Sequence, residues 1–473
     1  MNSRPFRQRR IQHEAANTDS NILPVVASPA GTPAESAGDR PDIPRYKACS
    51  LNNFRDIPQM AGLPEALKFD IEVVAQVLPF KVNNFVLDQL IDWERAPDDP
   101  LFVLTFPQRA MLAPAHYDEI AALLRSGADK PRIRAAADRI RLELNPHPAG
   151  QLSHNVPSLE GETLPGMQHK YRETVLFFPG QGQTCHAYCS FCFRWPQFVG
   201  MAELKFASRE TDRLIDYLRC HPEVSDVLFT GGDPMIMSAR NLASYIEPLL
   251  EAGLPNLRRI RIGTKALSYW PYRFLDDDGD ALMALFERIT ASGRHLALMA
   301  HFNHPRELEP AAVQKAIARV RQTGAVIRTQ SPLLRHINDD PALWAEMWSR
   351  QVDLGCVPYY MFLSRDTGAH DYFSVPLVRA WEIYRAAYQR VSGLCRTVRG
   401  PSMSADPGKV QVLGTSEIGG RKVLQLRFLQ GRNPDWVHRP FFAAYDETAT
   451  WLDELQPAFG ESRFFFDEDA GAA

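Results

Sequence analysis

The stretch TVLFFPGQGQTCHAYCSFCFRWP, residues 174–196, joins an apolar, strand-like run to three cysteines spaced C-x3-C-x2-C. These are Cys185, Cys189 and Cys192, and the sequence has no fourth cysteine near them. A closed zinc site requires four ligands, whereas three thiolates can bind three irons of a cubane cluster and leave the fourth iron open. The loop therefore predicts a [4Fe–4S] cluster with an open iron. A zinc site completed by His186 or by another histidine is the alternative.

The composition is typical of a soluble globular protein, with 473 residues, 45% of them hydrophobic and 23% charged, and a net charge of −3. No apolar run approaches the roughly 20 residues that span a bilayer, and the first 30 residues lack the apolar region of a secretory signal, so none is expected. Seven cysteines in such a chain indicate a reducing compartment, so we expect a cytoplasmic protein. No basic block follows RPFRQRR near the N-terminus, so neither a nucleic acid nor a membrane is expected as a partner.

Six short apolar or β-branched runs alternate with amphipathic helical patterns. The runs are 174–178, 224–230, 257–263, 295–302, 325–333 and 357–364. This alternation predicts an α/β fold with parallel strands, specifically a partial (β/α)6 barrel, and a doubly wound sheet is the rival architecture. The predicted organisation is a disordered tail (1–45), a helical N-terminal region (46–165), the barrel (166–395) and a C-terminal region with short strands (396–473). One of the helices predicted in the N-terminal region covers NNFVLDQLIDWE, residues 83–94.

Polar motifs follow the predicted strands, at the ends where a parallel barrel collects its chemistry. The cysteine loop follows the first strand, and GGDP (231–234) and GTK (263–265) follow the second and third. The later strands contribute His301, Asn303, Gln330 and Asp366. We expect all of these side chains to meet at one barrel mouth.

Taken together, these motifs resemble the radical S-adenosylmethionine superfamily, and more closely its lysine 2,3-aminomutase family. The matching segments are LPGMQHKY (164–171), CFR (192–194), RIGTK (261–265), HFNHP (301–305), TQSPLLRHIND (329–339) and PYYMFLSRD (358–366). The resemblance implies an isomerase that moves an amino group from C2 to C3 of an amino acid. It also implies three cofactors: a [4Fe–4S] cluster, S-adenosylmethionine and pyridoxal phosphate.

The resemblance also implies roles for individual residues. Cys185, Cys189 and Cys192 would ligate the cluster. S-adenosylmethionine would be bound by Phe191, Gly231, Gly232, Asp233, His301, Asn303 and Gln330. Lys409, after Gly408, would bind pyridoxal phosphate, with Tyr171 against its ring. Arg194 would bind the substrate carboxylate, and Asp366 a distal ammonium group, which makes lysine the first choice of substrate.

Three departures from the family pattern fall in the coenzyme and side-chain pockets. Thr174 replaces an arginine, with Arg172 close by, the glycine run before Lys409 is reduced to one residue, and Asp406 lies nearer to the lysine than the family's second acid. Two alternatives therefore stay open: a radical S-adenosylmethionine enzyme without pyridoxal phosphate, and a noncatalytic protein with a structural metal site. The expected partners are an amino-acid substrate, a low-potential electron donor and further copies of the chain in a homo-oligomer.

Overall fold

The computed structural model describes residues 43–145, 155–201 and 205–467. The predicted disordered tail therefore lies outside the described residues, except for its last three positions. The chain from Arg45 onward forms a single unit. No helix in the described ranges is long and apolar enough to cross a membrane.

The N-terminal region consists mainly of helices. They are α1 Glu65–Val77, α2 Pro100–Thr105, α3 Pro114–Arg125 and α4 Lys130–Glu143. Two small antiparallel pairs accompany them: β1 Ala48–Ser50 with β2 Lys81–Asn83, and β3 Ser158–Leu159 with β4 Glu162–Thr163.

The helix predicted over residues 83–94 forms only in part. Residues 84–90 are helical and include the π-helical turn Val86–Leu90, and a separate 3-10 turn, Trp93–Arg95, follows. Asn83 explains where the helical stretch begins. Its side-chain oxygen accepts the backbone N–H of Val86, and its amide donates to the carbonyls of His186 and Tyr269. Asn83 is thus fixed in β2 by contacts with distant segments, and its side chain caps the helical turn that follows.

One eleven-stranded sheet forms the centre of the protein. Its strands are β5 Met167–Tyr171, β6 Thr174–Phe177, β7 Asp226–Phe229, β8 Arg259–Thr264, β9 His295–His301, β10 Val326–Leu333, β11 Val357–Leu363, β12 Arg399–Ser404, β13 Gly408–Ile418, β14 Arg421–Gly431 and β15 Pro440–Ala444. They lie side by side in chain order from β5 to β15. All six strands predicted for the barrel form, as β6 to β11.

The order of the parallel strands decides between the two predicted architectures. Strands β6 to β12 run parallel, each beside the next strand in the chain. A doubly wound sheet reverses its strand order at a switch point, and no such reversal occurs here. Because β5 and β15 are the outermost strands and do not pair with each other, the sheet is open, and the fold is the predicted partial barrel.

Helices connect the parallel strands and cover the sheet. They are α5 Thr211–Cys220, α6 Ala239–Glu251, α7 Ala266–Tyr269, α8 Asp277–Ala291, α9 Ala311–Gln322, α10 Pro341–Asp353, α11 His370–Phe373 and α12 Leu377–Gln389. Helix α6 is representative: the side chain of Ser238 caps its first turn, and Leu242, Tyr245 and Leu249 recur at helical spacing on its buried face. In β9, five consecutive residues are buried, as expected for a parallel strand covered on both faces.

The C-terminal region continues the barrel sheet. Strand β12 adds a seventh parallel strand beside β11, and β13, β14 and β15 extend the sheet with antiparallel pairing. Lys409 is the second residue of β13 and pairs with Ser404, the last residue of β12. It therefore lies at the carboxyl end of a parallel strand, the same end at which the cysteine loop leaves β6.

Candidate active site

The three predicted cluster cysteines lie in the loop after β6 as partly buried free thiols. Burial, and then the charge of Cys189, raises the pKa of Cys192 to about 12. Burial also raises the pKa of Cys185 well above its ordinary value, with contributions from Asp233 and the other two cysteines. Iron must therefore displace protons from these thiols, as metals generally do on binding cysteine.

The N-terminal region holds the cysteine loop in place through backbone carbonyls. Lys81 Nζ donates to the carbonyl of Cys185 at 2.8 Å. The carbonyl of His186 accepts from Asn83 Nδ2 at 3.2 Å and from Tyr46 Oη at 2.7 Å. These contacts occupy the backbone of the loop, and one of its sulfur atoms, Cys189 Sγ, lies 3.5 Å from Tyr269 Oη.

His186 does not provide a fourth ligand for zinc. Its ring is buried and packs edge-on against Tyr46, with centroids 5.9 Å apart. Burial, followed by the charges of Arg273 and Lys81, lowers its pKa to about 3. Among the described residues, no three His, Cys, Asp or Glu side chains converge on one metal ion. A cubane cluster binds each cysteine through a different iron, so it needs no such convergence.

The glycine pair after β7 packs directly against the cysteine loop. A Cβ atom on Gly232 would lie 2.5 Å from the backbone nitrogen and oxygen of Thr184, so only glycine fits there. The backbone N–H of Asp233 donates to the carbonyl of Thr184 at 2.8 Å. The carboxylate of Asp233 accepts from the backbone of Met235 and Lys265. Asp233 thus ties the loops after β7 and β8 together beneath the cysteines.

The residues predicted at the ends of β9 and β10 form one hydrogen-bonded group. The Nε2 atoms of His301 and Gln330 are 2.6 Å apart. Burial and the charge of Lys265 lower the pKa of His301 to about 3, so its ring is neutral. Lys265 Nζ donates to Asn303 Oδ1 at 2.8 Å and pairs with the buried Glu307 at 2.6 Å. The charge of Lys265 also lowers the pKa of the Cys189 thiol, although burial raises that pKa by more.

Lys409 is surrounded by aromatic rings and cations. Its Nζ lies 4.2 Å from the centre of the Tyr360 ring and 5.9 Å from that of Tyr171. Its pKa is lowered to about 7 by burial and then by the charges of Arg399, Arg261 and Lys170. A lysine amine that is largely neutral at physiological pH is a nucleophile toward aldehydes.

A buried donor without a partner lies beside Lys409. Among the described residues, no acceptor pairs with Nη2 of Arg399, although that atom is buried. The Arg399 guanidinium lies 4.2 Å from the ring centres of Tyr359 and Tyr360. A buried, unpaired donor is costly, so an anion is the natural occupant of this position. The phosphate of pyridoxal phosphate fits this requirement, and the amine of Lys409 fits its aldehyde.

Thr174 stands where the family has an arginine, and the guanidinium that reaches this position comes from a different strand than the nearby Arg172. Arg172 is exposed, so it does not replace the family's arginine in the pocket. Arg261 of β8 instead donates from Nη2 to Thr174 Oγ1 at 3.3 Å, while its Nε pairs with Asp226 at 2.7 Å. The positive charge near Lys409 therefore comes from β5, β8 and β12.

Arg194 lies under the cysteine loop, and no described carboxylate is within ion-pair distance of it. Its guanidinium lies 4.3 Å from the ring centre of Phe178 and 5.1 Å from that of Phe193. Burial lowers its pKa to about 10, and nearby Arg365 adds to this effect. Asp366, predicted to bind a distal ammonium group, already pairs with Arg365 Nε at 3.3 Å. Asp406 pairs at 2.8 Å with Arg432, and its side chain is 65% exposed.

The structure thus brings most of the predicted residues into two adjoining groups. One contains the cysteines, the glycine pair and the His301–Gln330 group, and the other contains Tyr171, Lys409 and their cations. Phe191 packs at 6.4 Å against Phe373 beside the cysteine loop. The sequence analysis missed Lys81, Asn83, Arg365 and Arg399. No local signal marks Arg399, whereas Arg365 stands directly before the predicted Asp366.

Comparisons with known proteins identify relatives of this chain. No family model matches the chain. An Aquifex aeolicus (strain VF5) protein named "Putative L-lysine 2,3-aminomutase" is 31% identical over 412 residues, 87% of this chain and 96% of that protein. The L-lysine 2,3-aminomutase of Escherichia coli (strain K12) is 29% identical over 246 residues, 52% of this chain and 68% of that enzyme. That of Clostridium subterminale is 28% identical over 263 residues, 56% of this chain and 60% of that enzyme.

Among solved structures, a radical SAM methyltransferase from Sphaerobacter thermophilus aligns with a TM-score of 0.36 and 17% identity, over 62% of this chain and 94% of that one. The family of the sequence relatives uses a [4Fe–4S] cluster, S-adenosylmethionine and pyridoxal phosphate. The Aquifex protein is matched along almost its whole length. The chain belongs to the lysine 2,3-aminomutase family of radical S-adenosylmethionine enzymes.

Proposed function

We propose that the protein is a pyridoxal-phosphate-dependent amino-acid 2,3-aminomutase. In the overall reaction the C2–N bond breaks, a C3–N bond forms and one hydrogen moves from C3 to C2, so atoms and electrons balance without a net oxidant. The observation that carries the proposal is Lys409, a buried amine of lowered pKa beside Nη2 of Arg399, a buried donor that pairs with no described residue. Together they suit a ligand with both an aldehyde and a phosphate.

When bound, the cluster and S-adenosylmethionine supply a hydrogen-abstracting radical, and pyridoxal phosphate carries the migrating amine. Cys185, Cys189 and Cys192 would hold the cluster. The methionyl end of S-adenosylmethionine would lie against Gly231 and Gly232, whose lack of side chains lets a ligand approach the loop closely.

The rest of the S-adenosylmethionine pocket would come from the ends of β9 and β10. His301 and Gln330 offer polar groups there, while the buried Asn303 is fixed by Lys265 and by Ser331 Oγ at 2.9 Å. Phe191 contributes an apolar wall beside the cysteines. Asp233, whose carboxylate is occupied by protein donors, would position the glycine pair and not contact the cofactor itself.

Lys409 would hold pyridoxal phosphate through its amine and release it when the substrate amine takes its place. Arg399 and Lys170 would bind the phosphate, since neither pairs with a described carboxylate. Lys170 Nζ donates instead to the carbonyl of Ala405 at 2.5 Å. Tyr171, on the strand edge between these cations, would lie against the coenzyme ring.

Arg194 would bind the α-carboxylate of the substrate. It directly follows the cysteine loop, so a carboxylate bound there places C2 and C3 close to the cluster end of the site. A planar guanidinium can hold a carboxylate through two parallel hydrogen bonds, which fixes the orientation as well as the position. A small amino acid as substrate and a low-potential electron donor as partner follow from this reaction.

The visible spectrum of the anaerobically reconstituted protein tests this proposal. We expect the absorption of lysine-bound pyridoxal phosphate in the native protein and in Lys422→Ala, a control at an exposed lysine. In Lys409→Ala this absorption should be lost while the iron content is kept. A native protein with iron and sulfide but no coenzyme absorption would support a radical enzyme without pyridoxal phosphate. Zinc at unit stoichiometry without iron would support a structural metal site.

A further inference from the structure

Two guanidinium groups share one aromatic ring at the substrate end of the site. Arg194 lies 5.1 Å and Arg365 lies 5.4 Å from the centre of the Phe193 ring. The positive charge of Arg365 also contributes to the lowered pKa of Arg194, after burial. Two cations this close, partly shielded from water, are stabilised by an anion between or beside them. One carboxylate, bound by Arg194, leaves the second guanidinium paired with Asp366 through its Nε alone.

Arg365 is held in place by its loop. Its backbone carbonyl pairs with His370 Nδ1 at 2.9 Å. The next residues are also fixed: Trp195 Nε1 donates to Thr367 Oγ1 at 3.1 Å, and the backbone N–H of Gly368 donates to the carbonyl of Leu144 at 2.9 Å. The Arg365 side chain packs 5.7 Å from the ring centre of Trp451 and is 31% exposed. A ligand entering the site can therefore reach a guanidinium whose position is set by the fold.

The acids in this part of the site already have cationic partners. Asp366 accepts from Nε of Arg365, and Asp406 pairs with Arg432 at the surface. An ammonium group bound by Asp366 would have to displace Arg365 or lie beside it, and like charges at that distance repel. The bond to Asp366 uses one edge of the Arg365 guanidinium. The two Nη nitrogens form no hydrogen bond with a described residue, and a paired set of donors of this kind suits a carboxylate.

We propose that the amino-acid substrate carries a carboxylate on its side chain, as glutamate and aspartate do. Arg194 binds its α-carboxylate, and Arg365 binds the distal carboxylate across the Phe193 ring. This inference rests on the proposed aminomutase function and replaces lysine, the first choice from the sequence. Asp366 then acts as a positioning residue that holds Arg365 by its Nε edge and does not touch the substrate.

The test uses the reconstituted holoenzyme with four amino acids: L-glutamate, L-aspartate, L-glutamine and L-lysine. Glutamine matches glutamate in shape but lacks its charge. We expect an acidic amino acid to give a kcat/KM at least about tenfold above those of glutamine and lysine. Calorimetry on the unreduced holoenzyme should show that the acidic amino acid also binds with a lower Kd than glutamine and lysine. This measurement reports binding without radical chemistry.

Variants distinguish a contact between Arg365 and the distal carboxylate from an effect of Arg365 on the turnover of every substrate. Arg365→Gln should lower kcat/KM for the acidic substrate by about 30-fold or more, while the value for glutamine changes less than about threefold. Arg365→Lys, which keeps the charge but loses the paired donors, should have an intermediate effect. Arg379→Gln, at an exposed arginine of α12 that pairs with Glu382, should change neither value.

The outcomes also separate this inference from the proposed function. If lysine or glutamine were the best substrate, or if Arg365→Gln slowed glutamate and glutamine equally, the acidic-substrate inference would be wrong and the aminomutase would stand. If no amino acid were converted by a holoenzyme that cleaves S-adenosylmethionine, both would be wrong.

Discussion

The amine of Lys409 on β13 lies 4.2 Å from the centre of the Tyr360 ring on β11. The two residues lie two strands apart in the sheet. Their contact links the parallel barrel to the antiparallel C-terminal strands. Burial of the amine, followed by the charges of Arg399, Arg261 and Lys170, lowers its pKa to about 7 and makes it a candidate nucleophile. Several expected outcomes depend on this group and on the cysteine loop beside it.

The lowered pKa of Lys409 predicts how coenzyme capture depends on pH. Only the neutral amine attacks an aldehyde, and its fraction rises with pH through the pKa of about 7. The rate of pyridoxal phosphate incorporation into the apoprotein should therefore increase from pH 6 to pH 8 and level off above that. Stopped-flow absorption measures this rate. A rate still rising steeply near the ordinary lysine pKa of about 10.4 would contradict the burial of this amine.

Replacing Arg399 should weaken coenzyme binding. Arg399→Gln removes the buried guanidinium without a partner, and charged hydrogen bonds contribute about 1.5–3 kcal/mol each, so the Kd of pyridoxal phosphate should rise at least about tenfold. Fluorescence titration of the apoprotein measures the change. Arg328→Gln is the matched control, since Arg328 also packs on Tyr359, at 5.0 Å, but is not among the charges that shift Lys409. Equal losses in both variants would argue against a specific phosphate contact.

The cluster cysteines should behave differently from the isolated ones. Cys185→Ala, Cys189→Ala and Cys192→Ala should each lower bound iron from about four atoms per chain toward zero and abolish cleavage of S-adenosylmethionine. Cys220→Ala, at an exposed cysteine, should retain both. Iron and sulfide analysis after anaerobic reconstitution measures the difference. A single cluster variant with full iron content and normal cleavage would show that the ligands are assigned wrongly.

The support of the cysteine loop by β2 can be tested through Asn83. Asn83→Ala removes the Asn83 donor from the carbonyl of Tyr269 and leaves that of His186 with Tyr46 Oη, which should lower the free energy of unfolding by about 1–3 kcal/mol. The yield of reconstituted cluster should fall as well, because the loop loses a fixed point. Asn84→Ala, whose contacts with Lys47 and Arg45 lie at the surface, should change little. Denaturant unfolding and iron content report the two effects, and unchanged values in Asn83→Ala would refute this support.

Much of the fold was accessible from the sequence, because each barrel strand is a short apolar run followed by a helix of clear periodicity. The cysteine loop and the glycine pair could also be placed, since they follow the first two strands directly. The contributions of Arg399, Arg365 and Asn83 were not predictable. Their roles arise from strand pairing and from contacts between segments far apart in the chain, such as Asn83 with Tyr269. The helix expected at residues 83–94 is shorter than predicted, because Asn83 belongs to β2 and the helical stretch covers residues 84–90.

The ion pairs of the substrate pocket could not be predicted from the sequence either. The family resemblance implies that Asp366 binds a distal ammonium group. In the structure, Asp366 forms an ion pair with its neighbour Arg365. Likewise, Arg172 stands near Thr174 in sequence, yet Arg261 from another strand reaches the threonine. Which cation meets which anion is decided by side-chain direction at the barrel mouth, and local pattern does not encode it.

The position of the amino group in the product tests the central claim most directly. The reduced holoenzyme would be incubated with S-adenosylmethionine and an amino acid carrying deuterium at C3, and the products would be analysed by mass spectrometry and NMR. The account predicts an isomer of the substrate with its nitrogen on C3 and deuterium found at C2 and in 5′-deoxyadenosine. Formation of 5′-deoxyadenosine with every amino acid recovered unchanged, or with a product that keeps its nitrogen on C2, would contradict the aminomutase assignment.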